Sequence, residues 1–280
     1  MTELAHRRNH DFDVALYWDA NRDELFVVVE DISAVDRIHH PAAATEDSMS
    51  MAADPMRGLA VSENGLTLAL ASRTASPDQQ FRLAFRILDK DGRAVHDFDL
   101  EHTKRMHLIV VRRDLTGFQH LHPTLRADGT WTTSLTLPEA GAYRVFADFS
   151  VNNQPTTLAD DLQVDGTVNS SELPAAAKVS ATDGFRVRLT DGTVRADQET
   201  ALTFAVTRNR KPVPLQSYLG AKGHLVALRQ GDLAFLHVHP DENSLLFEAT
   251  FPTAGNYRLF LQFKVAGQVH TAAFTLEVSR

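Results

Sequence analysis

The chain contains no cysteine. That absence removes disulfides, thiolate zinc sites, iron–sulfur clusters and cysteine nucleophiles together, so any metal must be held by histidine, carboxylate or methionine. Long apolar runs are missing as well. The greasiest stretches, LTLALA and HLIVV, are strand-sized, far short of the roughly 18 residues that a membrane helix needs. No membrane span is expected. Glycine and proline are sparse, at 14 and 11 of 280 residues, which excludes collagen-like and low-complexity chains. Basic residues are outnumbered, 28 Lys plus Arg against 36 Asp plus Glu for a formal charge of −8. A nucleic-acid partner, which would need a clustered basic face, is therefore not expected. The N-terminus carries Asp11 and Asp13 where an export signal would run apolar for about seven residues or more; on sequence the expected address is cytoplasmic.

What the chain does contain is a 43% hydrophobic composition over 280 residues, enough for two ordinary domains with real cores. It also contains a duplication. Residues 107–123, HLIVVRRDLTGFQHLHP, match residues 224–240, HLVALRQGDLAFLHVHP, including all three histidines and the final proline. Residues 138–149, PEAGAYRVFADF, match residues 252–263, PTAGNYRLFLQF, in the same order. Two such blocks in one order indicate a repeated domain. The organisation read from this is an N-terminal β-hairpin segment over 1–38, a flexible His- and Met-containing linker over 39–57, one repeat over 58–165, a linker over 166–177 and a second repeat over 178–280.

Each repeat has a β signature. WTTSLTL and SLLFEATF alternate core-facing and outward residues, and short strands are punctuated by DKDG, ADG, TDG and QGD turns with no helical period. FDVALYW and ELFVVVE, flanking DANRD, read as the N-terminal hairpin. Ala-Gly-x-Tyr opening a strand, at Tyr143 and Tyr257, has the form of a tyrosine corner, in which the hydroxyl bonds back to the backbone. The fold class is all-β: two tandem immunoglobulin-like or cupredoxin-like β-sandwiches, plus the hairpin. Phe118 and Phe235 on the His-bearing face, with Phe146 and Phe260 facing away from the Tyr-bearing cores, imply that one sheet face of each repeat is covered by the other repeat, the hairpin or a protein partner.

The histidines carry the chemistry. If the two HLVALRQ and LAFLHVH segments pair around a two-residue Gly231-Asp232 loop, His224 faces His239, with His237 diagonal on the same face. The returning last strand is expected to bring His270 toward His224. In the first copy His107, His120 and His122 repeat the spacing, with Thr156 in the place of His270. Imidazole is a common ligand of zinc and copper, so a metal ion is the expected partner at His224, His237, His239 and His270, and at His107, His120 and His122. A structural corner at each His-x-His-Pro is the alternative. His39, His40, Met49, Met51 and Met56 form a soft-ligand set suited to Cu(I), or a plain connector. His6, His10, His96 and His102 have no counterpart in the duplicate and are read as surface residues.

No GxSxG, Walker loop, GxGxxG or HExxH occurs. Asp160-Asp161 is read as a solvated turn, not an acid–base dyad. Binding is preferred over catalysis. The runs KRMHLIVVRRDLTGFQHLHP and SYLGAKGHLVALRQGDLAFLHVHP, each followed by an AGxYRxF strand, resemble a group of little-characterised actinobacterial-type tandem β-sandwich proteins. The resemblance implies copper or heavy-metal association and an extracytoplasmic address. The reading is a non-enzymatic copper- or zinc-binding protein, with a metal-free tandem-sandwich interaction module as the alternative and metal-dependent hydrolysis as a minor one.

Overall fold

The computed structural model describes residues 2–8, 13–19, 24–26, 57–190, 193–240 and 243–280. The chain divides into two compact units, Met1–Ala52 and Ala53–Arg280. In the first, β1 (Thr2–Arg8), β2 (Asp13–Asp19) and β3 (Glu24–Phe26) form an antiparallel sheet in the order β1-β2-β3. The β2–β3 pair is the expected hairpin, joined by a strand that the sequence reading did not assign. The His39, His40, Met49, Met51 and Met56 set lies outside the described residues.

The second unit holds both repeats. The first repeat consists of β4 (Ser62–Glu63), β5 (Leu66–Leu70), β6 (Thr74–Ala75), β7 (Gln80–Leu88), β8 (His107–Arg112), β9 (Gln119–Leu121), β10 (Thr124–Leu125), β11 (Trp131–Thr136), β12 (Gly141–Val151) and β13 (Gln154–Val164). Its two sheets have the orders β10-β11-β7-β5-β4 and β6-β13-β12-β8-β9. The second repeat consists of β14 (Val179–Thr182), β15 (Phe185–Leu189), β16 (Val194–Arg195), β17 (Glu199–Arg208), β18 (Lys211–Pro212), β19 (Gly223–Arg229), β20 (Phe235–His237), β21 (His239–Pro240), β22 (Leu246–Thr250), β23 (Gly255–Val265) and β24 (Gln268–Ser279). Its sheets run β14-β15-β17-β22-β21 and β16-β24-β23-β19-β20. Both repeats are all-β sandwiches, and each closes one sheet with a short parallel strand, β6 on β13 and β16 on β24.

Side chains alternate across a strand, and here both faces of one sheet per repeat are apolar. In β8, Leu108 and Val110 enter the sandwich core while Ile109 and Val111 point out of it; in β19, Leu225 and Ala227 point in while Val226 and Leu228 point out. The outward residues of the two repeats meet. Ile109, Val111, Leu115, Phe146 and Ala159 pack with Val226, Leu228, Leu233, Phe235 and Phe260 in one buried cluster. The Phe118 and Phe260 rings stack at 4.1 Å, and those of Phe146 and Phe235 lie 5.6 Å apart. The cover for the outward phenylalanines is thus the other repeat. The intervening linker is pinned to this seam: Leu173 packs on it, and the Ser171 N–H donates to Asp114 Oδ2 at 2.9 Å.

The tyrosine corners form as expected. Tyr143 and Tyr257 are each 1% exposed and donate to the carbonyls of Glu139 at 2.9 Å and Thr253 at 3.0 Å. Two local expectations are corrected. The β19–β20 turn encloses four residues, 230–233, rather than two, between Arg229 and Ala234, where the Arg229 N–H donates to the Ala234 carbonyl, with Gly231 and Leu233 at positive φ. Asp160 and Asp161 lie within β13, not in a turn; as consecutive strand residues they point to opposite faces, where Asp160 pairs with Arg73 and Asp161 with Arg113 and Arg144.

Candidate metal centre

Register decides which histidines meet. His107 opens β8 with the parity of Ile109 and Val111, and His224 follows Gly223 in β19 with the parity of Val226 and Leu228, so both stand on the seam face. His120 pairs with Ile109 on that same face. His122 follows at the corner where the chain leaves β9 in one sheet for β10 in the other. Candidate ligand nitrogens of His107, His120 and His122 all lie within 4.8 Å of one another. Their ring centroids are 5.2, 5.0 and 4.7 Å apart, close to the roughly 5 Å expected for imidazoles sharing one ion at bonds of about 2.0–2.1 Å.

Their outer hydrogen bonds fix the tautomers. His107 Nε2 lies 3.1 Å from the Glu101 carbonyl; a carbonyl only accepts, so Nε2 carries the hydrogen and the lone pair is on Nδ1. His120 Nδ1 lies 2.7 Å from Gln262 Oε1, and with the Gln262 amide in that orientation the His120 lone pair is on Nε2. These two lone-pair nitrogens face each other at 3.0 Å. His122 Nε2 is buried without a hydrogen-bond partner. Burial, then the neighbouring His107 and His122 rings, holds the His120 pKa well below the ordinary imidazole value, and burial, then His107 and Lys104, pushes His122 down to about 3. His120 and His122 are therefore neutral, and His107 and His120 are held in place by carbonyls behind them as metal-binding imidazoles are.

The second repeat reaches the same place. His224 and Asp148 line one small cavity with His102, His107 and His120, of about 30 Å³. Asp148 stands opposite His107 in the ladder and accepts from Thr157 Oγ1 at 2.7 Å; the corresponding residues of the second repeat are Gln262 and Thr271, bonded at 3.3 Å. His102, read as a surface residue, is half-buried with its ring 5.4 Å from that of His224. It sits at positive φ in a tight turn that the second repeat reproduces with Leu219 in the equivalent place, so the position is shared but the histidine is not, and matching histidines between the repeats could not find it.

His270 is corrected. It pairs with Phe263, whose own partner is Gly223, while the line through His224 runs to Gln262 and Thr271. One residue of offset changes the face: the His270 ring packs on Phe185 and Phe263 in the second core and bonds Asp183 at 2.8 Å. His237 sits opposite Val226, the register expected from the sequence. His239, expected opposite His224, pairs instead with Glu248 in the other sheet, because the chain changes sheets at Val238. Thr156, aligned with His270, is likewise buried, and Thr157 takes the seam position.

Two segments of the chain, residues 60–166 and 178–280, match one family model, described as Domain of unknown function (DUF8832). The chain belongs to that family. No curated protein matches it. Among solved structures it is similar to the elastase-activated alpha-2-macroglobulin of Escherichia coli, at 12% identity and TM-score 0.27 over 76% of this chain and 20% of that one. It is also similar to the Escherichia coli adhesin FdeC, at 18% identity and TM-score 0.28 over 79% and 66%. The mouse nectin-like molecule 4 ectodomain matches at 12% identity and TM-score 0.21 over 77% and 64%. The chain thus spans a fifth of the macroglobulin. Among the described residues no helix is long and apolar enough to cross a membrane.

Proposed function

We propose that this DUF8832 protein is a non-enzymatic binder of a divalent transition metal, zinc or copper, with His107, His120 and His122 as ligands. The observation that carries the reading is the pair of inward lone-pair nitrogens 3.0 Å apart. With both outer nitrogens committed to carbonyls, only a shared proton or a cation makes that approach favourable, and burial disfavours the proton. Imidazole selects zinc and copper over magnesium or calcium. A cavity of about 30 Å³ holds about one water, which supports binding over turnover of an organic substrate.

The test is metal analysis of protein purified without a histidine tag, then calorimetric titration with Zn(II) and Cu(II). Micromolar or tighter binding that His120→Ala abolishes is expected; a folded protein that takes up neither ion refutes the reading. The tandem-sandwich interaction module is the second reading. Large apolar side chains remain outside the seam, with Leu100 69% and Val168 53% exposed, and an ion-free, folded protein would leave that module as the better account.

A further inference from the structure

The duplication suggests one metal site per repeat, but the seam brings the histidines of both repeats to one cavity. We infer that the site is composite: His224 of the second repeat completes the coordination begun by His107, His120 and His122, so that the chain binds one ion and that ion ties the repeats together. This rests on the metal reading above and names its fourth ligand and its stoichiometry.

Position comes first. The His224 ring centroid is 6.4 Å from that of His107 and 6.4 Å from that of His120, about 1 Å beyond the spacing of imidazoles sharing an ion, so His224 must close in when the ion binds. Its Nε2 bonds the Tyr218 carbonyl at 2.9 Å, which places the lone pair on Nδ1, the same arrangement as His107 with Glu101. The two equivalent histidines are thus prepared alike, one from each repeat. The second repeat already positions the first-repeat ligands, since Gln262 orients His120 across the seam.

Charge points the same way. A divalent ion among neutral imidazoles in a buried seam needs a counter-charge nearby, and among the described residues that line the cavity there is one carboxylate, Asp148. The corresponding residue of the second repeat is the neutral Gln262. One carboxylate matches one ion on the first-repeat side of the seam. His270, the other candidate for a fourth imidazole, lies in the second core on the opposite face of its sheet.

The experiment uses the full chain and Co(II) and Zn(II) as probes. Stoichiometry, affinity and the visible Co(II) spectrum are measured for the parent, His224→Ala, His224→Asn and, as a control, the exposed His96→Ala, with folding checked by circular dichroism. One ion per chain is expected, with at least a tenfold weaker affinity and an altered Co(II) spectrum in both folded His224 variants, and no change in His96→Ala. One ion bound with unchanged affinity and spectrum in a folded His224 variant overturns the composite site while leaving the His107–His120–His122 reading standing. Two ions per chain also overturns it. No ion on the folded parent overturns the metal reading itself.

Discussion

Tyr257 shows how much of a sandwich rests on single polar atoms. Its hydroxyl is buried and bonds both the Thr253 carbonyl and Thr253 Oγ1 at 3.0 Å, closing the turn into β23. Replacing Tyr257 with Phe should lower stability by about 0.5–1.5 kcal/mol, and by more if the Thr253 carbonyl is left dry; urea denaturation measures it, and no loss would mean that the corner is held by packing alone. His120 and His122 act in the opposite sense. Their folded pKa values lie below the ordinary 6.5, so the folded chain binds fewer protons than the unfolded one. Their destabilising effect is absent above pH 6.5 and grows as pH falls from 6.5 toward 3. The metal-free protein should therefore show a lower urea midpoint at pH 5 than at pH 7.5, a difference that His122→Asn should reduce. An equal midpoint at both values would contradict the buried, neutral assignment.

At the scale of strands, β8, β12, β19 and β23 have both faces covered, and their sequences say so. HLIVV and FADF carry no clean alternation of apolar and polar residues because one face looks into a sandwich and the other into the seam. From that pattern the need for a cover was legible, and from the turn residues so was the β19–β20 register, even though the loop is longer than two residues. What was not legible is parity over several strands. The path from His224 to β24 crosses two ladders, and an error of one residue exchanges Thr271 for His270 and seam for core. Nor could repeat matching reveal His102, which stands at a turn position that the second copy fills with Leu219, or the meeting of both copies' histidines at one place. Phe260 tests the seam directly. Its ring lies flat on Phe118, at 9° between planes, and it is 4% exposed. Phe260→Ala should cost about 3–5 kcal/mol, and a loss under about 1 kcal/mol would show the seam to be a loose contact.

At the scale of the second unit, the seam decides whether two duplicated sandwiches unfold as two bodies or one. Domains in tandem commonly touch through polar, modest interfaces and move independently. Here ten buried apolar residues from both repeats form a third core between the two sandwich cores, and burial of a large apolar side chain is worth roughly 1.5–3 kcal/mol. Separating the repeats would uncover most of that surface at once, together with the buried His107, His224 and Gln262. Residues 57–280 should therefore melt in one calorimetric transition whose van't Hoff and calorimetric enthalpies agree. An ion bound at the seam stabilises only the joined form, by about 2.7 kcal/mol at a hundredfold excess over its Kd, and so should raise that single transition without splitting it. Val226→Asp, which sets a carboxylate into the seam, should divide the melt into two. Two transitions in the parent protein, or a metal-induced rise confined to one of them, would mean that the repeats are independent domains and that the ion serves only the first.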